Sequence, residues 1–220
     1  MRKCFIFDLD GTLLDTLADL TDAVNEILVR HGFPARTKEE VCSFVGNGLR
    51  MLMVRASGLP ADDPLADELA MEQAAYYTVH ANDRTVPYPG IHGMLAALAA
   101  LPGVRLAVVS NKKNEIVGRL IDDHFPGLFE SVLGEESGIP KKPDPAQVTA
   151  TLRRLGVSED EAVYIGDSDI DIRTAENAGI PCVSVVWGFR TEAFVRARGA
   201  QQVAHSAEEL FGILRDWAGA

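Results

Sequence analysis

The run Cys4-Phe5-Ile6-Phe7, cut off by Asp8-Leu9-Asp10-Gly11-Thr12, constrains this chain more than any other feature. It is apolar without polar alternation and ends near a turn-forming glycine, so it fits a strand buried on both faces, as in a parallel sheet. The same signature returns at residues 104–109, 162–165 and 182–186, and more weakly at 131–133 and 202–204. Helical patterns lie between these runs. Asp144-Pro145 opens one, with Asp as N-cap and Pro at the first helical position, and Gly156 closes it. A second spans about 169–179, and a third begins at Ser206, where Glu209 completes a capping box. Strands alternating with helices predict an α/β fold: a three-layer, Rossmann-like core around a parallel sheet.

One stretch breaks the alternation. Residues 16–82 carry only helical spacing, with Leu17, Leu20, Val24, Ile27 and Leu28 forming one apolar face. Thr37 and Glu40 make a capping box, Gly46 is a helix stop, and Asp63-Pro64 starts a long helix through Tyr76 and Tyr77. The return segment 82–90 holds Pro87, Pro89 and Gly90, which suits an exposed crossing between two units. The expected division is an α/β core of residues 1–15 and 86–220, with a helical domain of residues 16–85 inserted after the first strand.

Charge and cysteine usage narrow the function classes. Twenty-one Lys and Arg against 32 Asp and Glu give a net charge of −11 over 220 residues. A field of that sign repels duplex DNA and anionic membrane, so neither nucleic acid nor membrane is an expected partner. Cys4, Cys42 and Cys182 are far apart and form no CxxC pair, which argues against a disulfide framework or a zinc site. No apolar run approaches the ~20 residues of a membrane helix, and Asp8 and Asp10 end the N-terminal stretch too early for a signal peptide. The chain reads as reduced, soluble and cytoplasmic.

The candidate chemistry lies where the apolar runs end, because open α/β sheets bind ligands at the carboxyl ends of their strands. Asp8 and Asp10 are two apart, so in an extended chain both side chains point the same way. Asp167 follows Val163-Tyr164-Ile165-Gly166, with Asp171 one helical turn on; Ser110 and Asn111 follow another run, and Lys142 precedes Pro143-Asp144-Pro145. Each alone has a bland reading, as an N-cap or a solvated charge. Converging carboxylates would repel one another by about 4 kcal/mol per pair at ~4 Å and an effective dielectric near 20, so such a cluster demands cations. A hard, oxygen-ligated ion such as Mg²⁺ suits carboxylates that also face a phosphate, and Lys142 adds a positive charge.

Asp8-Leu9-Asp10-Gly11-Thr12, Ser110, Lys142 and Gly166-Asp167-Ser168-Asp169-Ile170-Asp171, in that order, resemble the haloacid dehalogenase superfamily of phosphohydrolases. The helical insertion is placed like that superfamily's cap domain. Phe44-Val45-Gly46-Asn47-Gly48, Pro87-Tyr88-Pro89-Gly90 and Val186-Trp187-Gly188-Phe189 look like its bacterial phosphoglycolate phosphatase branch. The resemblance implies a Mg²⁺-dependent phosphatase acting on a small phosphate monoester, 2-phosphoglycolate foremost. It makes Asp8 the nucleophile that forms an aspartyl-phosphate and Asp10 the acid and then the base. Asp8, the main-chain carbonyl of Asp10 and Asp167 would hold Mg²⁺, while Asp171 would orient Lys142 or a metal-bound water. Ser110 and Lys142 complete the catalytic set, and Thr12, Asn111, Gly46, Asn47, Gly48 and Arg50 are the candidate substrate contacts.

Alternatives on the same fold are a sugar-phosphate mutase, a pyrophosphatase and a phosphonate hydrolase; a non-catalytic binding protein is the alternative of another class. A calcium loop fails because Ile172 and Ala178 stand where Gly and Glu are needed. Gly46-Asn47-Gly48 lacks the third glycine and preceding strand of a dinucleotide site. His31, His80, His92, His124 and His205 show no ligand spacing, and Trp187, Phe189, Met51 and Met53 read as packing residues. Monomer and homodimer are both compatible with the sequence.

Overall fold

The computed structural model describes residues 1–46, 48–136 and 138–219. The chain opens with β1 (Cys4–Phe7) and β2 (Leu14–Asp15), then runs through α1 (Leu17–Arg30), α2 (Lys38–Phe44), α3 (Gly48–Ser57) and α4 (Leu65–His80). β3 (Val86–Pro87) and α5 (Ile91–Ala99) lead into β4 (Arg105–Lys113), α6 (Asn114–His124), β5 (Ser131–Glu135) and α7 (Ala146–Leu155). β6 (Ala162–Gly166), α8 (Asp169–Asn177), β7 (Cys182–Val185), α9 (Glu192–Arg196), β8 (Gln202–Ala204) and α10 (Ala207–Ala218) finish it.

Six strands form one sheet in the order β5-β4-β1-β6-β7-β8. Its pairings are parallel, with Phe5 beside Leu106 on one side and beside Val163 on the other. The absence of alternation has its reason here, since both faces are covered. Cys4, Ile6, Ala107, Val109, Ala162 and Tyr164 point to one face and meet Val148, Leu152 and Leu155 of α7 and Ala175 of α8. Phe5 and Phe7 are equally buried on the other face, where Phe7 lies edge-on to Phe129. This is the expected parallel α/β fold.

The helices begin close to where the sequence signals placed them. Thr37 and Glu40 form the reciprocal capping box of α2, and Gly156 ends α7 in the left-handed conformation. α7 starts one residue later than expected, with Pro145 as its N-cap and Asp144 Oδ1 accepting from the Ala146 N–H. At α10, Ser206 caps the Glu209 N–H, but the Glu209 carboxylate accepts from the His205 N–H instead of closing a box.

The chain divides into two compact units, Met1–Leu14 with Pro87–Ala220, and Asp15–Val86. The first holds the six-stranded sheet; the second is built from α1 to α4 around Val24, Ile27, Leu28, Val41, Met53 and Leu69. Inside the helical unit the buried Asp19 carboxylate accepts from the N–H groups of Arg84 and Thr85 and from the Thr85 hydroxyl, which ties the return segment to α1. Among the described residues no helix is long and apolar enough to cross a membrane.

Candidate active site

The strand order places β1 between β4 and β6, where the chain's progress across the sheet reverses. At such a switch point the loops diverge and leave a crevice beyond the carboxyl ends of the strands. Asp8 follows β1, Ser110 lies in the last part of β4, and Asp167 follows β6. The loop between β5 and α7 supplies Lys142.

Lys142 is the centre of this arrangement. Its side chain is 3% exposed, and its ammonium lies 2.9 Å from Asp8 Oδ1 and 2.8 Å from Asp171 Oδ1. It also donates to the Tyr164 hydroxyl at 3.0 Å, and that hydroxyl donates onward to the Val109 carbonyl. Asp171 Oδ2 accepts from the N–H and hydroxyl of Ser168, closing the capping box of α8. Asp171 therefore both starts its helix and anchors the lysine.

Asp167 is held from the other side. Its Oδ2 accepts from the Phe189 N–H at 2.6 Å. A Cβ on Gly188 would fall 2.1 Å from the Gly11 carbonyl oxygen and 2.5 Å from Asp167 Oδ2. Gly11, at φ +80°, leaves no room for a Cβ either, since one would meet Asp167 Oδ2 at 2.4 Å. Trp187 donates its indole N–H to the Thr12 carbonyl, while the buried Thr12 hydroxyl has no hydrogen-bond partner among the described residues. Trp187 and Phe189, which the sequence presents as packing residues, shape the site together with Gly188 through an indole, a main-chain N–H and a missing Cβ.

β1 ends at Phe7, so Asp8 and Asp10 do not share one extended strand. Asp8, Asp167 and Asp171 bring carboxylate oxygens within 4.8 Å of one another, and the Asp10 side chain is not in that trio. Asp10 is paired instead with Lys112, 2.5 Å away, whose side chain is 8% exposed. Lys112 had no sequence signal beyond its place after Ser110-Asn111. The register of β4 against β5 shifts between Val109 and Lys113, and such an irregularity re-aims side chains. Ser110 is buried and its hydroxyl accepts from the Lys112 N–H.

Two expected substrate contacts are engaged elsewhere. Arg50 reaches Asp67 Oδ1 at 2.6 Å and the carbonyls of Ala61 and Asp63, all within the helical unit, so its fork joins the loop before α4 to α3. The Asn111 carboxamide is paired with the Lys142 main chain, accepting at 2.8 Å and donating at 2.9 Å. Gly46, after α2, and Gly48, the first residue of α3, both have positive φ, and Asn47 lies outside the described residues.

Burial pushes the Asp8 carboxyl up from 3.8 to about 7; Lys142 opposes this, and Asp171 and Asp10 add to it. Asp167 is likewise held well above the usual carboxylate range by burial, then by Asp171 and Asp8. Burial works against the Lys142 ammonium, but Asp171 and Asp8 outweigh it and hold its pKa well above the ordinary value. One lysine thus does not neutralise the acidic trio. Buried carboxylates with surplus negative charge and oxygen-only donors fit a hard divalent cation.

A parallel α/β sheet with this buried charge cluster at its switch point has the architecture of an enzyme, and comparison with known proteins says which. Residues 5–185 match the model of the haloacid dehalogenase-like hydrolases, and the chain belongs to that family. The phosphoglycolate phosphatase of Rhodospirillum rubrum is 37% identical over 229 aligned residues, covering 100% of this chain and 92% of the relative. That of Pseudomonas putida is 37% identical over 196, covering 86% of this chain and 71% of the relative. A solved structure from Lactobacillus delbrueckii subsp. bulgaricus superposes with a TM-score of 0.91 at 36% identity, covering 97% of this chain and 99% of that one. Within its family the chain is a phosphoric monoester hydrolase of the phosphoglycolate phosphatase-like kind.

Proposed function

We propose that the protein hydrolyses a small phosphate monoester, 2-phosphoglycolate foremost, with Asp8 as nucleophile and Mg²⁺ as cofactor. The observation that carries this reading is the convergence of Asp8, Asp167, Asp171 and Lys142 beyond β1 and β6. The curated relatives named as phosphoglycolate phosphatases support the substrate. Asp8, the Asp10 carbonyl and Asp167 would hold the ion, which supplies positive charge to the carboxylates and the phosphate oxygens.

In the first step an Asp8 carboxylate oxygen attacks phosphorus and the ester P–O bond breaks. The leaving oxygen takes a proton from Asp10. In the second, water attacks the aspartyl-phosphate, Asp10 takes back a proton, and cleavage of the P–O bond to Asp8 returns the carboxylate and inorganic phosphate. Ser110 offers its hydroxyl to a phosphate oxygen, and Lys142 holds Asp8 in line. Positioning and electrostatic stabilisation carry most of the acceleration in such transfers.

The test is phosphate release from a panel of esters, with Mg²⁺ and with excess chelator. Chelation should abolish turnover and Mg²⁺ restore it, with phosphoglycolate the best substrate, and acid quenching should trap phosphate on Asp8. Full turnover in chelator, or no trapped phosphate under any condition, overturns the mechanism. Preference for another ester overturns only the substrate.

A further inference from the structure

Lys142 is mounted at both ends. Its ammonium has three N–H donors, and three acceptors surround it: Asp8, Asp171 and the Tyr164 hydroxyl. Its main chain is gripped by Asn111, whose carboxamide accepts from the Lys142 N–H and donates to the Lys142 carbonyl. Two more carboxamides stitch the neighbouring segments. Gln147 Nε2 donates to the Gly134 carbonyl at 3.0 Å and to that of Ser110 at 3.4 Å, and Asn114 Oδ1 accepts from the Gly134 N–H. The end of β4, the end of β5 and the Lys142 loop are thereby held as one piece.

We infer that Asn111 and Tyr164 are positioning residues, which fix the depth of Lys142 beside Asp8 and touch no substrate. Asn111 sets where the loop starts and Tyr164 sets where the ammonium stops. The hydroxyl is braced in turn by the Val109 carbonyl of β4, the strand that carries Asn111. A lysine with every donor engaged keeps one Asp8 oxygen occupied and leaves the other for attack on phosphorus. The inference rests on the nucleophile reading of Asp8 and adds to it what holds the lysine in place.

The experiment measures kcat and KM of Asn111→Ala and Tyr164→Phe on phosphoglycolate and on nitrophenyl phosphate, each in the parent and in a Lys142→Ala background. Tyr164→Phe, which removes a charge-assisted hydrogen bond, and Asn111→Ala, which removes two neutral ones, should each lose about ten- to hundredfold in kcat, by the same factor on both esters and with KM unchanged. In the Lys142→Ala background neither substitution should lower kcat further, because both act through the lysine. Tyr164→Phe removes only a hydroxyl, so it keeps the test sound if Asn111→Ala fails to fold. A KM increase confined to phosphoglycolate would make Asn111 a substrate contact and overturn the inference, as would undiminished losses without Lys142. If the parent enzyme traps no phosphate on Asp8 with any ester of the panel, the nucleophile reading fails and this inference falls with it. A parent that turns over while the variants break the pattern removes this inference alone.

Discussion

Two cations, Lys142 beyond the strand ends and Arg50 in the helical unit, are both surrounded by oxygen, but water reaches them differently. The Lys142 side chain is 3% exposed and has two carboxylates and a phenol hydroxyl around it. The Arg50 side chain is 35% exposed, with one carboxylate and two main-chain carbonyls as its partners. An exposed pair contributes about 0–1 kcal/mol, whereas removing one partner of a buried pair costs about 3–5 kcal/mol. The same kind of contact therefore binds a loop in one unit and holds a buried charge cluster together in the other. The difference is made by topology, which gathers charges at β1, β4 and β6 and strips them of solvent.

Of the two cations, Lys142 should give the larger effect when replaced, as in Lys142→Met. It should cut turnover by about 10²–10³-fold, as removal of a fixed electrostatic stabiliser does. It should also destabilise the fold by about 3–5 kcal/mol, because Asp8 and Asp171 lose their shared cation. An unshifted melting temperature would put Lys142 in the same category as Arg50.

Asp8→Asn should abolish the phosphoenzyme and reveal the charge surplus through pH. Burial raises the Asp8 pKa from 3.8 to about 7 in the fold, so the folded state binds this proton more tightly than the unfolded chain. Stability from this group is present below pH 4 and is lost as pH rises through about 7. Metal-free Asp8→Asn should then melt higher than the parent at pH 8, with the gap closing towards pH 4. Mg²⁺ should bind the parent less well as pH falls through 7, since the cation and the proton compete for the same carboxylate. Melting curves with and without Mg²⁺ at several pH values check both signs.

Lys112→Met tests the pair closest in kind to Lys142. Loss of the charge-assisted contact to Asp10 should lower turnover by about tenfold or more, and more for poor leaving groups that need the acid. Equal losses on alkyl and nitrophenyl esters would detach Lys112 from the acid step. The smallest effect should be Arg50→Gln, at about 0–1 kcal/mol of stability, with the ratio of specificity constants for phosphoglycolate and nitrophenyl phosphate unchanged. A selective fall for phosphoglycolate would return Arg50 to the substrate.

The sheet was legible because burial on both faces leaves a local mark: four apolar residues without alternation can be seen in a line of text, as at Cys4–Phe7. Helix starts were legible for a similar reason, since Thr37 and Glu40 cap one another at a separation of three residues. Asp8, Lys142, Asp167 and Asp171 were picked out by residue type and position after a strand or before a helix. Lys112, Tyr164 and the Phe189 N–H were not. A lysine in a polar run, a tyrosine inside a strand and a main-chain amide carry no mark of their own.

The parallel α/β fold, the helical insertion and the carboxylates at strand ends are thus written locally in the chain, because all of these follow from contacts and periodicities within a few residues. What each polar group faces is settled by the fold in three dimensions. Asp19 turns inward to hold the Arg84 and Thr85 amides, Arg50 is bound to Asp67, and Asn111 grips the Lys142 main chain. Lys142 meets Asp8 across a separation of 134 residues only because β1 lies between β4 and β6. A hydrogen bond or ion pair is short-ranged and directional, so its partner is chosen by the strand order that brings distant segments within 3 Å, a distance typical of such contacts.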